Sequence, residues 1–240
     1  MNRKNIKNIL FLDIETVSCV PSYKQLNERL RPLWDKKAGF IAKNEETPEQ
    51  LFQEKAAIYA EFGKVVSIGV GFFFYDQNKQ LSLKVKGLSS HNEQDLLQEF
   101  SSLLTKRFNS KNLILCAHNG KEFDFPYLCR RMVVNNIKIP EPLDISGKKP
   151  WEVCHLDTLE MWKFGDKKNY TSLELLAALF NIPGSKNEMD GSMVGKHYYG
   201  TNDLSAITRY CCKDVAVTAQ LYLRFKGWPT MPETQIIYIE

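Results

Sequence analysis

The 240-residue chain contains 43% hydrophobic and 25% charged residues, which is typical of a globular protein long enough to bury a full core. No apolar run approaches the roughly 20 residues that span a bilayer, and the basic start MNRKNIKN lacks a signal peptide's apolar segment and cleavage site. The net charge of +4 is compatible with a polyanionic partner but does not argue for one. We therefore expect a cytoplasmic protein without a membrane partner.

The first predicted elements are a strand, a helical segment and two further strands. The strand covers residues 8–16, and amphipathic helices with charged faces are expected over 21–39 and 47–62. The continuous β-branched and aromatic run at 64–75 predicts a strand buried on both faces. Residues 81–88 alternate between apolar and polar side chains, as an antiparallel partner would.

The second half of the chain predicts strands that alternate with helices. These elements are, in order, a helix at 92–107, a strand at 112–119, a helix at 124–136, a strand near 152–156, a helix after Asp157, and helices at 172–180 and 204–225. The Gly-rich stretch 182–203 is predicted to be a long loop, and such loops are uncommon unless they are functional. The whole pattern predicts one α/β domain over 1–240: a mixed central sheet flanked by helices, with a helical insertion at about 17–62.

Two acids interrupt the first apolar strand, in the stretch FLDIET (11–16). Residues two apart on a strand project to the same face, so Asp13 and Glu15 point together, away from Leu12 and Ile14. A solvated strand end is the simpler explanation of the pair taken alone. On its own, this motif is therefore weak evidence for a metal site.

Two further stretches carry acids in defined contexts. Asp124 follows a strand and a turn and begins a helix, where it fits a catalytic acid or an ordinary helix cap equally well. Tyr210 and Asp214, in YCCKD, are spaced to share one face of a helix beside apolar positions. The alternative for Asp214 is an exposed ion pair with Arg209 or Lys213.

Taken in order, FLDIET, NGKEFD and YCCKD resemble the three motifs of the DEDD superfamily of 3'-5' exonucleases. A tyrosine four residues before the last acid is similar to the DEDDy branch, whereas the DEDDh branch has a histidine where Arg209 stands. More closely, the chain resembles stand-alone bacterial exonucleases related to the proofreading domain of family B DNA polymerases, with further parallels at 56–72, 155–161 and 184–192. The resemblance extends over about residues 8–227 and implies a ribonuclease H-like fold with a central first strand.

The resemblance also implies a set of site residues. The four metal-binding acids are Asp13, Glu15, Asp124 and Asp214, and Tyr210 is the fifth catalytic group. Hard carboxylate ligands suit two Mg²⁺ or Mn²⁺ ions, while Tyr210 would orient the attacking water. Thr16, Asn119 and Phe123 would contact the 3'-terminal nucleotide, although Phe123 fits a core position equally well.

The implied activity is metal-dependent 3'-5' exonucleolytic removal of 5'-mononucleotides from single-stranded DNA. A ribonuclease D-like exoribonuclease and a non-catalytic nucleic-acid-binding module remain alternatives; a glycosidase would leave two acids and Tyr210 unexplained. The helical insertion is a candidate surface for a protein partner or a lid. His118 and His155 are predicted to be structural and Asp157 to cap a helix, and Lys186 and Lys196 lie in the long loop beside aromatic residues.

Overall fold

The computed structural model describes residues 3–108, 112–166, 170–184 and 189–239, which form a mixed six-stranded sheet with helices on both faces. Its strands are Ile9–Ser18 (β1), Gly63–Tyr75 (β2), Leu81–Ser89 (β3), Ile114–Ala117 (β4), Leu156–Asp157 (β5) and Ile236–Ile239 (β6). The spatial order is β5-β4-β1-β2-β3-β6, with β2 antiparallel to β1 and β3 and the other neighbours parallel. The predicted mixed sheet with an interior first strand is confirmed.

The helices differ in which face of this sheet they cover. In chain order they are Arg31–Ile41 (α1), Pro48–Lys55 (α2), Glu93–Arg107 (α3), Asp124–Val134 (α4), Thr158–Lys163 (α5), Leu173–Leu179 (α6), Val194–Thr201 (α7) and Leu204–Phe225 (α8). Helices α3 and α4 pack on one face through residues such as Phe100 and Leu128. Helix α8 packs on the other face through residues such as Val215 and Tyr222. No helix of the described residues is long and apolar enough to cross a membrane.

The alternation of side chains along β1 decides which face receives each residue. Leu10 and Leu12 belong to the core under α3 and α4, whereas Ile9 and Phe11 belong to the core under α8. Asp13 and Glu15 continue the second series, since every other side chain of a strand points to the same face. The sequence of β1 therefore directs both acids toward α8.

Helix α8 approaches the sheet closely because glycines lie beneath it. A Cβ atom on Gly69 would lie 2.8 Å from Val215 Cγ2 and 3.0 Å from the Cys211 carbonyl oxygen. A Cβ atom on Gly87 would overlap Thr208 Cγ2. Any larger side chain at these positions would push α8 away from β2 and β3, so the two glycines set the distance between the strands and the helix.

The insertion after β1 has a small core of its own. Trp34 is fully buried, and its ring packs edge-on against Phe52 and Phe62 at centroid separations of 5.3 and 5.0 Å. The indole nitrogen donates a hydrogen bond to the Pro48 carbonyl oxygen at 2.8 Å. At the end of the insertion, Tyr127 on α4 donates to the Ala57 carbonyl oxygen at 2.8 Å, which attaches the segment to the main core.

The predicted helices of the insertion are partly wrong in extent. Over 21–39, the α-helix begins only at Arg31, because Pro32 has no N–H and fits only the first turn. Before it, the Asn27 side chain accepts from the Arg29 N–H at 2.8 Å and stabilises a turn instead. Over 47–62, Thr47 and Gln50 form a capping box at the start of the helix, but the α-helix ends at Lys55 and a 3-10 turn follows.

Near the end of the chain, two predictions differ from the structure. The stretch 182–203 was expected to be a loop, yet α7 occupies Val194–Thr201; residues 185–188 lie outside the described residues. Burial of Val194 and Tyr198 against β1 and β2 outweighs the poor helix propensity of the glycines. The strand expected near 152–156 is Leu156–Asp157, and β6 follows α8 without having been predicted.

Candidate active site

The four predicted acids and the tyrosine lie together in one cleft of about 400 Å³. Its floor comes from Asp13 and Glu15 on β1, one wall from the start of α4, and another from Tyr210 and Asp214 on α8. Asn119 and Phe123 line the same cleft. The sheet and the helices on its two faces thus bring together residues that are distant in sequence; Asp13 and Asp214 are 201 positions apart.

An irregularity in the sheet lies directly beside these acids. Glu15 pairs with Ser67 across the β1–β2 ladder, but the next pair is Thr16 with Val65, which leaves Val66 between the two pairs. Such a β-bulge bends the strand and redirects its side chains, and bulges are common next to active sites. Here it changes the register where β1 passes from the acids to Thr16.

Asp124 is directed at β1 and does not cap its own helix. The N-cap position of α4 is Phe123, which makes no side-chain capping bond. Asp124 Oδ1 instead accepts a hydrogen bond from the Ile14 backbone N–H at 3.1 Å. The capping interpretation is therefore wrong, and the carboxylate is fixed beside the β1 acids.

Tyr210 and Asp214 are both 8% exposed and lie on the inner face of α8. The alternative of a solvated ion pair for Asp214 is therefore wrong. Burial, followed by the charges of Asp214 and Glu15, raises the pKa of Tyr210 far above its usual value, and its hydroxyl is hydrogen-bonded to Asp214. The phenol consequently stays protonated at neutral pH and acts as a donor.

Burial and mutual repulsion disfavour the charged forms of the acids. Burial contributes most to raising the pKa values of Asp13 and Glu15, and the charge of Asp214 adds to it in both cases. Burial also raises the pKa of Asp124 to about 7. Asp13 Oδ2 is buried without a hydrogen-bond partner among the described atoms.

These features fit a divalent cation. No lysine or arginine is among the described residues that line the cleft. Convergent carboxylates with an orphaned oxygen are the donor set that hard divalent cations require. Ligand atoms of Asp13, Glu15 and Cys211 lie within 4.8 Å of one another.

Cys211 belongs to this cluster by position, which the sequence did not indicate beyond its apolar surroundings. Its sulfur accepts from the Gly69 N–H at 3.1 Å and donates to the Asp13 carbonyl oxygen at 3.3 Å. Burial and the charge of Asp13 raise its pKa well above the usual value, so it remains a thiol. Cys211 therefore links α8 to β1 and β2 as a neutral hydrogen-bonding group.

The three predicted substrate contacts occupy different parts of the site. Asn119 has a left-handed backbone (φ 62°), and its N–H donates to Asp157 Oδ1 at 2.9 Å. Phe123 is half-buried, packs on Tyr127 at a centroid separation of 5.2 Å and also lines the cleft, and its contact with a nucleotide stays a prediction. Thr16 lines an adjoining groove and not the cleft that contains the acids.

The polar residues predicted to be structural are so. His155 is buried, accepts from the Leu115 N–H and donates to the Pro142 carbonyl oxygen, and burial lowers its pKa to about 4. Asp157 caps α5 by accepting from the Leu159 N–H at 2.9 Å. These groups support the site's framework without facing its cleft.

His118 also has a supporting role, next to a cleft residue that the sequence did not indicate. Its ring nitrogens lie 2.9 Å from Thr158 Oγ1 and from the Thr171 carbonyl oxygen, and burial lowers its pKa, so the ring is neutral. The ring also packs edge-on against Tyr170, an exposed residue that lines the cleft. No periodicity marks Tyr170, because it lies between elements and is positioned by this tertiary contact.

Comparisons with known proteins place the chain in a family. Residues 58–233 match a family described as predicted 3'-5' exonucleases related to the exonuclease domain of PolB. The match includes Asp124, Tyr210 and Asp214, while Asp13 and Glu15 lie before it. No curated protein matches the sequence.

The fold is also similar to a solved structure, that of the family B DNA polymerase from the hyperthermophilic archaeon Pyrobaculum calidifontis. The TM-score is 0.55 at 13% sequence identity, over 90% of this chain and 24% of the polymerase chain. The chain thus spans about a quarter of that polymerase's length, and at this identity the likeness concerns the fold alone. The predicted ribonuclease H-like architecture is confirmed at that level.

Proposed function

Because the chain belongs to the family of predicted 3'-5' exonucleases related to the exonuclease domain of PolB, we propose that it hydrolyses single-stranded DNA from the 3' end and releases 5'-mononucleotides. The observation that carries the proposal is the meeting of Asp13, Glu15, Asp124, Asp214 and Tyr210 in one cleft. Burial raises the pKa values of Asp13, Glu15 and Asp124, so their ionised forms destabilise the protein unless a ligand in the cleft stabilises them.

The carboxylates of Asp13, Glu15, Asp124 and Asp214 would hold two Mg²⁺ or Mn²⁺ ions. When bound, these ions supply Lewis-acid chemistry, which acidifies water and offsets the charge of the phosphodiester. The Oδ2 atom of Asp13 is buried and accepts no hydrogen bond among the described atoms, so it is available as a metal ligand. Asp124 Oδ1 is already held by the Ile14 N–H, which fixes the direction of its second oxygen.

The remaining groups act on the substrate and on water. Tyr210 is a protonated donor hydrogen-bonded to Asp214, so its proposed role is to orient the attacking water and not to remove its proton. Asn119 and Phe123 would hold the 3'-terminal nucleotide, with the ring of Phe123 as a stacking surface that tolerates any base. Water then adds to the last phosphodiester phosphorus, the bond to O3' of the penultimate nucleotide breaks, and the mononucleotide leaves.

A single assay tests the activity, its polarity and its metal requirement. Single-stranded DNA and RNA of one sequence, labelled at the 5' or the 3' end, are incubated with Mg²⁺, Mn²⁺ or EDTA. We expect stepwise shortening of the 5'-labelled strand, immediate release of the 3' label as a mononucleotide, faster cleavage of DNA, and no cleavage in EDTA.

A matched pair of variants separates the site from a contaminating nuclease. Asp13→Asn should abolish cleavage, whereas Asp95→Asn, which alters an exposed acid on α3, should leave it unchanged. Preferential cleavage of RNA would favour the ribonuclease D-like alternative. Retained DNA binding without cleavage under any metal condition would favour the non-catalytic module and refute the proposal.

A further inference from the structure

We propose that two copies of this chain pair through strand β6, which runs antiparallel to β6 of the second copy about a two-fold axis, and so join their sheets into one. This pairing is independent of the proposed activity. Three features of β6 support it: the free edge that it forms, the apolar side chains that it exposes, and the engagement of the nearby charges within each copy.

Strand β6 forms one edge of the sheet and pairs with β3 on its inner side. Within the described residues, no hydrogen bond outside that ladder reaches Ile237, Tyr238 or Ile239. The outer side of an edge strand presents a row of unpaired N–H and C=O groups. Because these groups repeat along an extended backbone, the partner that satisfies them is another extended strand.

The side chains of β6 are apolar on both faces of the sheet. Ile237, Tyr238 and Ile239 are 43, 46 and 42% exposed. Natural proteins protect sheet edges with charged residues, with proline or with very short strands, and the sequence IIYI of β6 contains neither a charge nor a proline. The opposite edge, β5, is protected by its length of only two residues. The sheet therefore has one protected edge and one edge that favours pairing.

The charged neighbours of β6 are already engaged within their own copy. Lys84 and Lys86 on β3 lie beside β6 in the ladder. Lys84 Nζ lies 4.8 Å from the centre of the Phe74 ring, and Lys86 Nζ lies 3.6 Å from Glu99 Oε1. Two copies can therefore approach along β6 without placing like charges directly opposite each other, although each chain carries a net charge of +4.

A second copy fits this edge because an antiparallel pair of β6 strands is complementary to itself. With Tyr238 opposite Tyr238 of the second copy, Ile237 of each copy lies opposite Ile239 of the other. Directly opposed aromatic and β-branched side chains stabilise antiparallel pairs. A pocket of about 250 Å³, lined by Ile182 and Val217, adjoins Tyr238 on the α8 side and offers space for the second tyrosine ring.

The symmetry of the pairing limits the assembly to two copies. A two-fold axis uses the same edge of both chains, so the outer edges of the joined sheet are the two short β5 strands. A pairing of four-residue strands belongs to the small interfaces of below about 1,200 Å² in total, so we expect a dissociation constant in the micromolar range. Strands β2 and β3 separate β6 from β1, so the acidic cleft of each copy stays accessible.

Sedimentation velocity over a series of protein concentrations tests for the dimer. The 27.7 kDa chain should change reversibly from one copy to two as its concentration rises through the micromolar range. Val134→Lys is the matched control, because Val134 is also an exposed apolar residue but lies on α4, away from the edge. This variant should dimerise like the wild type.

Two double variants test the identity of the partner strand and its register. One is Ile237→Lys/Ile239→Lys, and the other is Ile237→Glu/Ile239→Glu. Each variant alone places like charges opposite each other and should lower the association constant by about 10-fold or more, whereas an equimolar mixture should form a mixed dimer through opposite charges. Circular dichroism and melting curves check that each variant is folded.

The outcomes separate this proposal from the proposed function. A wild-type chain that stays a single copy throughout the series, or that grows beyond two copies, overturns the dimer. Double variants that dimerise like the wild type, or a mixture that associates no more strongly than either variant alone, overturn the pairing through β6. None of these results changes the cleft, whose lining residues are unaltered in every variant, so cleavage of DNA is measured independently.

Discussion

Replacing Asp124 with asparagine should stabilise the metal-free protein while it removes activity. The structure holds this carboxylate in a buried site, where burial raises its pKa from 3.8 to about 7. The charges of Asp157 and Asp214 add to that effect. Asparagine removes the charge but keeps an oxygen that can accept the hydrogen bond from the Ile14 N–H.

The magnitude follows from the pKa change and has a defined pH dependence. A rise from 3.8 to about 7 corresponds to about 4 kcal/mol of unfolding free energy lost when the group is ionised. Since burying an amide also costs free energy, we expect Asp124→Asn to raise the unfolding free energy at pH 8 by about 2–4 kcal/mol. This corresponds to a rise of roughly 5–15 °C in melting temperature. The cost is fully present above pH 7 and disappears as pH falls toward 3.8, so the advantage of Asp124→Asn should be largest near pH 8 and vanish near pH 4.

Asp157 provides a matched control for this prediction, because it is also a buried aspartate at the start of a helix. Its two oxygens accept from the backbone N–H groups of Asn119 and Lys121, and Oδ1 also from that of Leu159. An asparagine there would place an NH₂ group against one of these donors and lose charge-assisted bonds. We expect Asp157→Asn to lower the unfolding free energy by about 1–3 kcal/mol, the opposite sign.

Chemical denaturation in EDTA at pH 4.5, 6 and 8 measures both variants against the wild type. Adding Mn²⁺ at pH 8 should then stabilise the wild type more than Asp124→Asn, because a cation offsets the repulsion that the substitution has already reduced. A destabilising effect of Asp124→Asn at pH 8, or a gain that is the same at all three pH values, would refute the reasoning.

Three further predictions concern the catalytic tyrosine, the approach of α8 and a buried ion pair. Tyr210→Phe should lower kcat by about 10²-fold, because a positioned donor is lost, and isothermal titration should show unchanged Mn²⁺ affinity. Gly87→Ala should destabilise the protein by about 1–3 kcal/mol in urea, and adding Thr208→Ser should restore most of it, because serine lacks the Cγ2 atom that a Cβ on Gly87 would overlap. Arg131→Met should cost about 3–5 kcal/mol, because it leaves Glu93 buried without the two guanidinium bonds that it now accepts; a loss under 1 kcal/mol would contradict this.

The parts of the site that could be predicted from sequence are those set by local geometry. The two-residue period of a strand places Asp13 and Glu15 on one face, and the four-residue spacing in a helix places Tyr210 and Asp214 on another. Both relations hold in the structure because the elements that carry them are long and their apolar patterns are regular. The resemblance to exonuclease motifs then predicted that these two pairs and Asp124 belong to one site.

The parts that could not be predicted depend on contacts between distant elements. Helix α7 forms in a Gly-rich stretch because Val194 and Tyr198 are buried against the sheet. The sequence of that stretch does not indicate which surface the helix packs against. Asp124 has the sequence context of a helix cap, but the β1 strand supplies a competing N–H that local rules do not include. The same holds for Cys211, whose two hydrogen bonds reach β1 and β2.

The arrangement of α8 connects the fold to the chemistry. Gly69 lets α8 approach β2 so closely that the Cys211 thiol bridges from the Gly69 N–H to the Asp13 carbonyl oxygen. That same approach buries Asp13 and brings the charge of Asp214 near it, and both effects raise the pKa of Asp13. The close packing stabilises the core, but it also buries the acids and brings their charges together. A bound divalent cation would offset the repulsion between the acids and leave the core packing unchanged. The arrangement that destabilises the metal-free cleft would therefore favour metal binding.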